Sequence, residues 1–297
     1  MSIKNFFQEI DKGLKTPVYF LHADNQYLLE EAFAAVKKSI PEKDMDFNFS
    51  VFDLDSPDSQ DTPGQITGIL NTVSFFGSRR YAVIKNFQKL PAKEFKKFQP
   101  YLDNPSPNAV LIILYNGTVK KEVRENIRGA KTICLDIREQ DLPFWAKEKA
   151  KQKGLAIKDN AIDYLIGTVG PDIGLLASEI EKLSLLGSET IDENTIREIV
   201  EGSREYSVFD LTNALREKNS EQVFRIYKVL SETVEPYNLL GAINWQYSRM
   251  SMQVKEGSPH KDYFHRVSEL LNDADIQIKS SGGAYPMEYL LVRLLKL

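Results

Sequence analysis

Five short runs of branched and aromatic residues are confined to the first 138 residues: 17–21 (Pro-Val-Tyr-Phe-Leu), Asn48 to Leu54, Tyr81 to Phe87, Val110 to Tyr115 and Thr132 to Ile137. Short apolar runs of this kind suit strands covered on both faces. Between them lie stretches of helical periodicity, the first carrying Tyr27, Leu28, Ala32, Phe33 and Val36 behind a cap at Asp24 or Asn25. Strands that alternate with helices are joined by crossovers, so the expected architecture is a largely parallel sheet with helices on both faces, as in nucleotide-binding domains.

Such a unit accounts for less than half of 297 residues, and the length favours more than one domain. Composition changes twice. Residues 1–138 carry 19 basic and 17 acidic side chains, 139–205 carry 8 and 14, and 206–297 carry 11 of each. The net charge of −4 is therefore made in the middle segment, while the first is slightly basic. Mild acidity argues against a general nucleic-acid coat, and the −6 middle segment would repel phosphate. The longest apolar stretch, 109–115, is far below the roughly 18 residues of a membrane span, and the N-terminus has no apolar signal-peptide core. A cytoplasmic chain without membrane partners is expected. Cys134 is a lone cysteine and reads as a small buried hydrophobe, and His22, His260 and His265 give no zinc-ligand spacing.

Doubly wound sheets bind phosphate at the turn after the first strand, where glycines admit the anion to backbone N–H groups. Here that turn is His22, Ala23, Asp24, Asn25, Gln26, Tyr27, with no glycine or lysine and with a carboxylate where an anion would sit. The later strand ends Leu114, Tyr115, Asn116, Gly117, without an acidic Mg²⁺ ligand. No nucleophile elbow, metalloprotease helix or paired cysteine and histidine occurs. No catalytic residue, metal site or cofactor is expected.

Between the second and third strands, Ile66, Ile69, Leu70 and Val73 make one apolar helical face. Phe75 and Phe76 fall beyond it, before Gly77. They either plug the core that leads into Tyr81 or project as an aromatic anchor for a partner. Arg79 and Arg80 follow, basic residues that are either solvated or in contact with acids or DNA phosphate.

From Leu142 the strand pattern stops. Amphipathic stretches run from Leu142 towards Gly154, from Ala161 to Gly170, from Asp172 through Leu183 and from Asp192 through Val200. Beyond Gly202 further helices carry Phe209, Leu211 and Leu215; Val223, Ile226 and Leu230; Pro236 to Tyr247; and leucine-rich pieces to Leu297. This richness is core, part of which also suits a subunit interface.

The order of several pieces resembles the delta subunit of the bacterial DNA polymerase III clamp loader through nearly the whole chain. They are Pro17 to Leu21 with Tyr27 to Ala32; Ser74 to Arg80; Gly170, Asp172, Ile173, Leu176 and Glu179 to Leu183; and Phe209, Leu211, Ala214 and Leu215. The resemblance implies an AAA+-like α/β domain with a degenerate phosphate loop (1–138), a small helical lid domain (139–205) and a helical collar domain (206–297). It implies no ATP hydrolysis by this chain, which would be a component of a polymerase holoenzyme. Its partners would be the sliding clamp, the gamma/tau motor subunits, the delta-prime subunit and, through the assembly, primed DNA. An apolar anchor at a helix end would enter a pocket of the clamp and favour its open form. Matched here, that anchor is Phe75 and Phe76, preceded by Asn71, Val73 and Ser74, with Asn71 where the family often has glutamine. For DNA, Tyr285, beside Ser280, Ser281, Gly282 and Gly283, reads either as part of a flexible loop or as a stacking candidate, with Arg79 and Arg80 as candidate phosphate contacts. The competing readings are a nucleotidase with an unconventional phosphate site using Lys85 or Lys120, and an unrelated helical scaffold.

Overall fold

The run Ala109–Asn116 is buried from end to end until its last residue, so it can only be an inner strand. A computed structural model describes residues 3–56, 62–74, 79–187, 190–201, 206–254, 260–280 and 285–297. The chain divides into two compact units, Met1–Ile137 and Arg138–Leu297.

In the first unit the described elements are α1 (Ile3–Asp11), β1 (Val18–Ala23), α2 (Gln26–Ser39), α3 (Glu42–Asn48), β2 (Phe49–Asp53), α4 (Pro63–Asn71), β3 (Arg80–Lys85), α5 (Ala92–Phe95), α6 (Gln99–Asp103), β4 (Ala109–Asn116), α7 (Lys121–Asn126) and β5 (Lys131–Cys134). The sheet is parallel throughout, in the order β2-β3-β4-β1-β5. All five expected strands are present. One face carries Phe20, Ile84, Leu111 and Ile113 against Ile66 and Leu70 of α4, Phe98, Tyr101 and Ile127. On the opposite side Phe6 of α1 meets Tyr19 edge-to-face at 6.4 Å.

α1 is also held by charge. Glu9 Oε2 accepts from the Tyr19 hydroxyl at 3.2 Å and pairs with Lys131 Nζ at 2.8 Å. The bond from Lys131 holds the carboxyl below its ordinary value, against an opposing push from partial burial. A carboxylate depressed in the folded state contributes stability that is complete above its unfolded value near 4.5 and is lost as pH falls through the native one. Glu9→Gln is therefore expected to flatten the acid limb of a melting-temperature profile below that pH, while changing its shape little at pH 7.

The second unit contains α8 (Leu142–Gln152), β6 (Ala156–Ile157), α9 (Asp159–Val169), α10 (Ile173–Ser184), β7 (Thr190–Ile191), α11 (Glu193–Ile196), α12 (Val208–Arg216), α13 (Ser220–Leu230), α14 (Pro236–Met252), α15 (His260–Ser280) and α16 (Met287–Leu295). The expectation of no strand beyond Leu142 needs one correction: β6 and β7 form a two-residue parallel pair. Such a pair is too short to leave a periodic signature. Asp172, where the amphipathic stretch starts, caps α10, its carboxylate accepting from the Leu175 N–H at 2.8 Å. Gly170 ends α9 with φ +91°, a conformation that disfavours a side chain.

α9, α12 and α14 are tied by a buried polar bridge in which Thr212 donates to Gln246 Oε1 and Gln246 Nε2 donates to the Gly167 carbonyl at 3.0 Å. Gly167 lets the Phe209 ring of α12 close on α9 beside this bridge. A Cβ there would lie 2.6 Å from the Phe209 ring, which Tyr164 backs in a parallel stack at 4.6 Å. Gly167→Val is expected to cost about 1–3 kcal/mol through overpacking. The measurement is a lower denaturant midpoint at unchanged slope, and an unaltered midpoint would sink the packing argument.

Candidate functional site

Two places in the first unit concern function. The first is the rim formed by the C-terminal ends of the strands, where open α/β sheets bind ligands. Here the rim is closed by side chains. Asn25 caps α2, its Oδ1 accepting from the Tyr27 N–H at 2.9 Å, and the Asp24 N–H donates to Asp136 Oδ1 at 2.9 Å. Gln26 accepts from Asn116 Nδ2 at 2.6 Å, and Gln88 Oε1 accepts from the Asn116 N–H at 3.0 Å. The N–H groups of Asp24 and Tyr27, which a phosphate loop would point at its ligand, already have partners.

Lys85, one of the two lysines considered for an unconventional phosphate site, pairs with Glu30 at 2.7 Å and lies 4.9 Å above the Phe33 ring. It is therefore neutralised within the unit. Lys120 is exposed at the start of α7.

The second place is the exit of α4. The helix opens with a reciprocal capping box between Thr62 and Gln65 and buries Ile66 and Leu70 completely. It closes at Asn71. The Thr72 N–H donates to the Ile69 carbonyl at 3.1 Å, and the Thr72 hydroxyl donates to the Gly68 carbonyl at 2.8 Å. Thr72 takes extended dihedrals, so Val73 leaves the helical face on which periodicity had put it and stands 85% exposed. Asn71 is exposed and Ser74 half-buried. Phe75 and Phe76 lie outside the described residues.

Arg80 does not serve as the phosphate contact expected of it. It is 7% exposed, with Nη1 donating to the Phe47 carbonyl and Nη2 to the Val73 carbonyl, each at 3.2 Å. Its fork fixes the backbone just after α4 to the end of α3. Arg79 Nη1 donates to the Leu14 carbonyl at 2.9 Å. Tyr285 also departs from expectation. Its ring is buried in the core of the second unit, with the hydroxyl pushed up chiefly by that burial, so it has no open face for a base.

Periodicity and motif spacing miss the Arg80 clamp and the side-chain closure of the rim, because both depend on contacts between residues far apart in sequence. The available signal at the rim was the carboxylate and amides at 24–26, where a phosphate loop has glycines.

A parallel sheet in this order, with a phosphate turn closed by its own side chains and a largely helical second unit, defines an AAA+-like fold. Residues 19–135 match a family model described as DNA polymerase III, delta subunit, and 139–198 match one described as a middle domain. The chain is 26% identical over 268 residues to DNA polymerase III subunit delta of Bacillus subtilis (strain 168), covering 84% of this chain and 75% of that one. It is 26% identical over 255 residues to the probable DNA polymerase III subunit delta of Aquifex aeolicus (strain VF5), covering 80% and 69%. Among solved structures, the Bacillus subtilis DNA clamp loader delta protein superimposes with a TM-score of 0.56 at 20% identity, covering 99% of this chain and all of that one. The chain is thus similar to DNA polymerase III delta subunits, by the family model over 19–135 and by these relatives over most of its length.

Proposed function

We propose that this chain binds the sliding clamp through the residues that follow α4, favours the clamp's open form, and does so without hydrolysing ATP. The observation that carries this reading is the exit of α4. The inner face of the helix is completely buried, its end is closed by Thr72, and the chain then presents Val73 almost fully to solvent, towards Phe75 and Phe76. An exposed β-branched side chain leading into two aromatic residues is the composition of an interface anchor. The closed rim and the Lys85–Glu30 pair support a subunit that relies on the motor subunits for ATP.

The proposed partners are the clamp, the gamma/tau and delta-prime subunits and, through the assembly, primed DNA, which implies a cytoplasmic site of action. Among the described residues no helix is long and apolar enough to cross a membrane. The proposed division of labour follows 1–138 for clamp binding, 139–205 as lid and 206–297 as collar. The middle-domain match over 139–198 supports the second of these, and exposed Ile276 and Tyr289 support subunit contact by the third.

The test is the full chain passed over the immobilised sliding clamp of the same organism, with ATP binding measured in parallel. Saturable clamp binding with no ATP bound is expected. No clamp binding, or stoichiometric ATP binding, overturns the proposal.

A further inference from the structure

At the same rim, three side chains of different chemistry converge. His22, at the end of β1, and Cys134, at the end of β5, are register partners on adjacent parallel strands, so their side chains leave the same face of the sheet. Asp136 follows two residues beyond Cys134. One ligand atom from each of the three lies within 4.8 Å of the others, all in half-buried positions.

One edge of this triangle already has the size a metal requires, since Cys134 Sγ and Asp136 Oδ2 are 3.4 Å apart. Tetrahedral zinc with bonds of about 2.0–2.3 Å sets its ligands roughly 3.6 Å from one another. The site is also supported from behind. The Asp24 N–H holds Asp136 Oδ1, which leaves Oδ2 turned towards the sulfur, and the Leu135 N–H donates to the His22 carbonyl at 2.8 Å, which fixes the two strand ends in register. A backbone donor that orients a ligating carboxylate is the kind of outer support metal sites use.

We propose that His22, Cys134 and Asp136 form a three-ligand Zn²⁺ site that clips the short edge strand β5 to β1. Thiolate and imidazole favour zinc over Mg²⁺ or Ca²⁺, which take oxygen ligands. The charges close as well, because a dication meets one thiolate, one carboxylate and a neutral imidazole. Binding replaces the thiol proton, which now points at Asp136 Oδ2, so Cys–SH and Zn²⁺ give Cys–S–Zn and release one proton to solvent. Three protein ligands leave the fourth position to water. The spacing of histidines and cysteines along the chain cannot reveal this set, because its members come from opposite ends of the first unit.

The test uses the full chain, stripped of metal and titrated with Zn²⁺ against a chromophoric chelator, with Co²⁺ as spectroscopic probe. One equivalent of Zn²⁺ is expected, with a thiolate-to-cobalt charge-transfer band and a raised melting temperature, and Mg²⁺ should produce neither effect. Cys134→Ser should abolish the band and weaken Zn²⁺ binding by about a hundredfold or more, with His22→Gln and Asp136→Asn each weakening it at least tenfold. The three variants should melt like the metal-free wild type, which separates lost ligation from lost folding. His265→Gln controls for an adventitious surface site, since His265 and Glu269 face each other on α15 at 3.3 Å. The proposal is overturned if no equivalent binds, if Cys134→Ser binds as the wild type does, or if His265→Gln removes the bound ion.

Discussion

Replacing Phe75 and Phe76 together by alanine is expected to abolish binding to the sliding clamp and to leave the melting temperature of the chain unchanged. Each ring inserted in an apolar pocket contributes about 2 kcal/mol, so losing both weakens binding on the order of a thousandfold. The fold is expected to survive because the described part of this segment is held by other residues. Ile66 and Leu70 are completely buried beneath α4, Thr62 and Gln65 cap its start, and Thr72 closes its end. Ile66→Ala therefore supplies the opposite control, costing about 2–5 kcal/mol of stability through the cavity it leaves. The measurement is surface binding to the clamp beside thermal melting of each variant. A double variant that binds as the wild type does removes the aromatic anchor, and one that melts early places the rings in the core.

Binding alone does not open a ring. A ligand with equal affinity for the open and closed clamp shifts nothing, so the anchor can favour opening only through contacts that the open form makes better. The double variant should therefore lose clamp opening in step with clamp binding, which a fluorescence distance measurement across the clamp interface reads directly.

The strands of the first unit were legible because an inner parallel strand must be apolar on both faces, and β4 leaves only its last residue, Asn116, outside the fully buried class. Helix starts were equally legible where a side chain caps locally, as Asn25 and Asp172 do. Helix ends were less so. Apolar periodicity carried α4 on to Val73, whereas Thr72, by bonding back to Gly68 and Ile69, turns the chain out two residues earlier. Arg80 and Tyr285 were misread for one shared reason. A basic or aromatic side chain beside a loop looks available in sequence, and only tertiary packing shows that the first grips two backbone carbonyls and the second lies in a core. The grouping of His22 with Cys134 is likewise a consequence of strand order, which places β1 beside β5.

Arg80→Met is the second substitution expected to have a large effect, because it separates how the anchor is held from what the anchor touches. The methionine keeps much of the apolar stem but leaves the carbonyls of Phe47 and Val73 without the donors they now have. An unsatisfied, partly buried acceptor costs about 1–3 kcal/mol, and losing the charged fork is expected to lower stability by about that amount, read as a lower denaturant midpoint. Arg80→Lys should fall between the two, since one ammonium on a flexible stem cannot reproduce a planar fork that spans both carbonyls. Clamp affinity should fall about tenfold in Arg80→Met under conditions where the variant remains folded, although no apolar contact atom has been removed. The reason is that Val73 is the point from which the chain departs towards Phe75 and Phe76, and a segment that must be ordered on binding loses affinity to the ordering. A folded Arg80→Met variant with wild-type clamp affinity would show that the guanidinium serves the fold alone and that the residues beyond Val73 need no fixed exit to reach their partner.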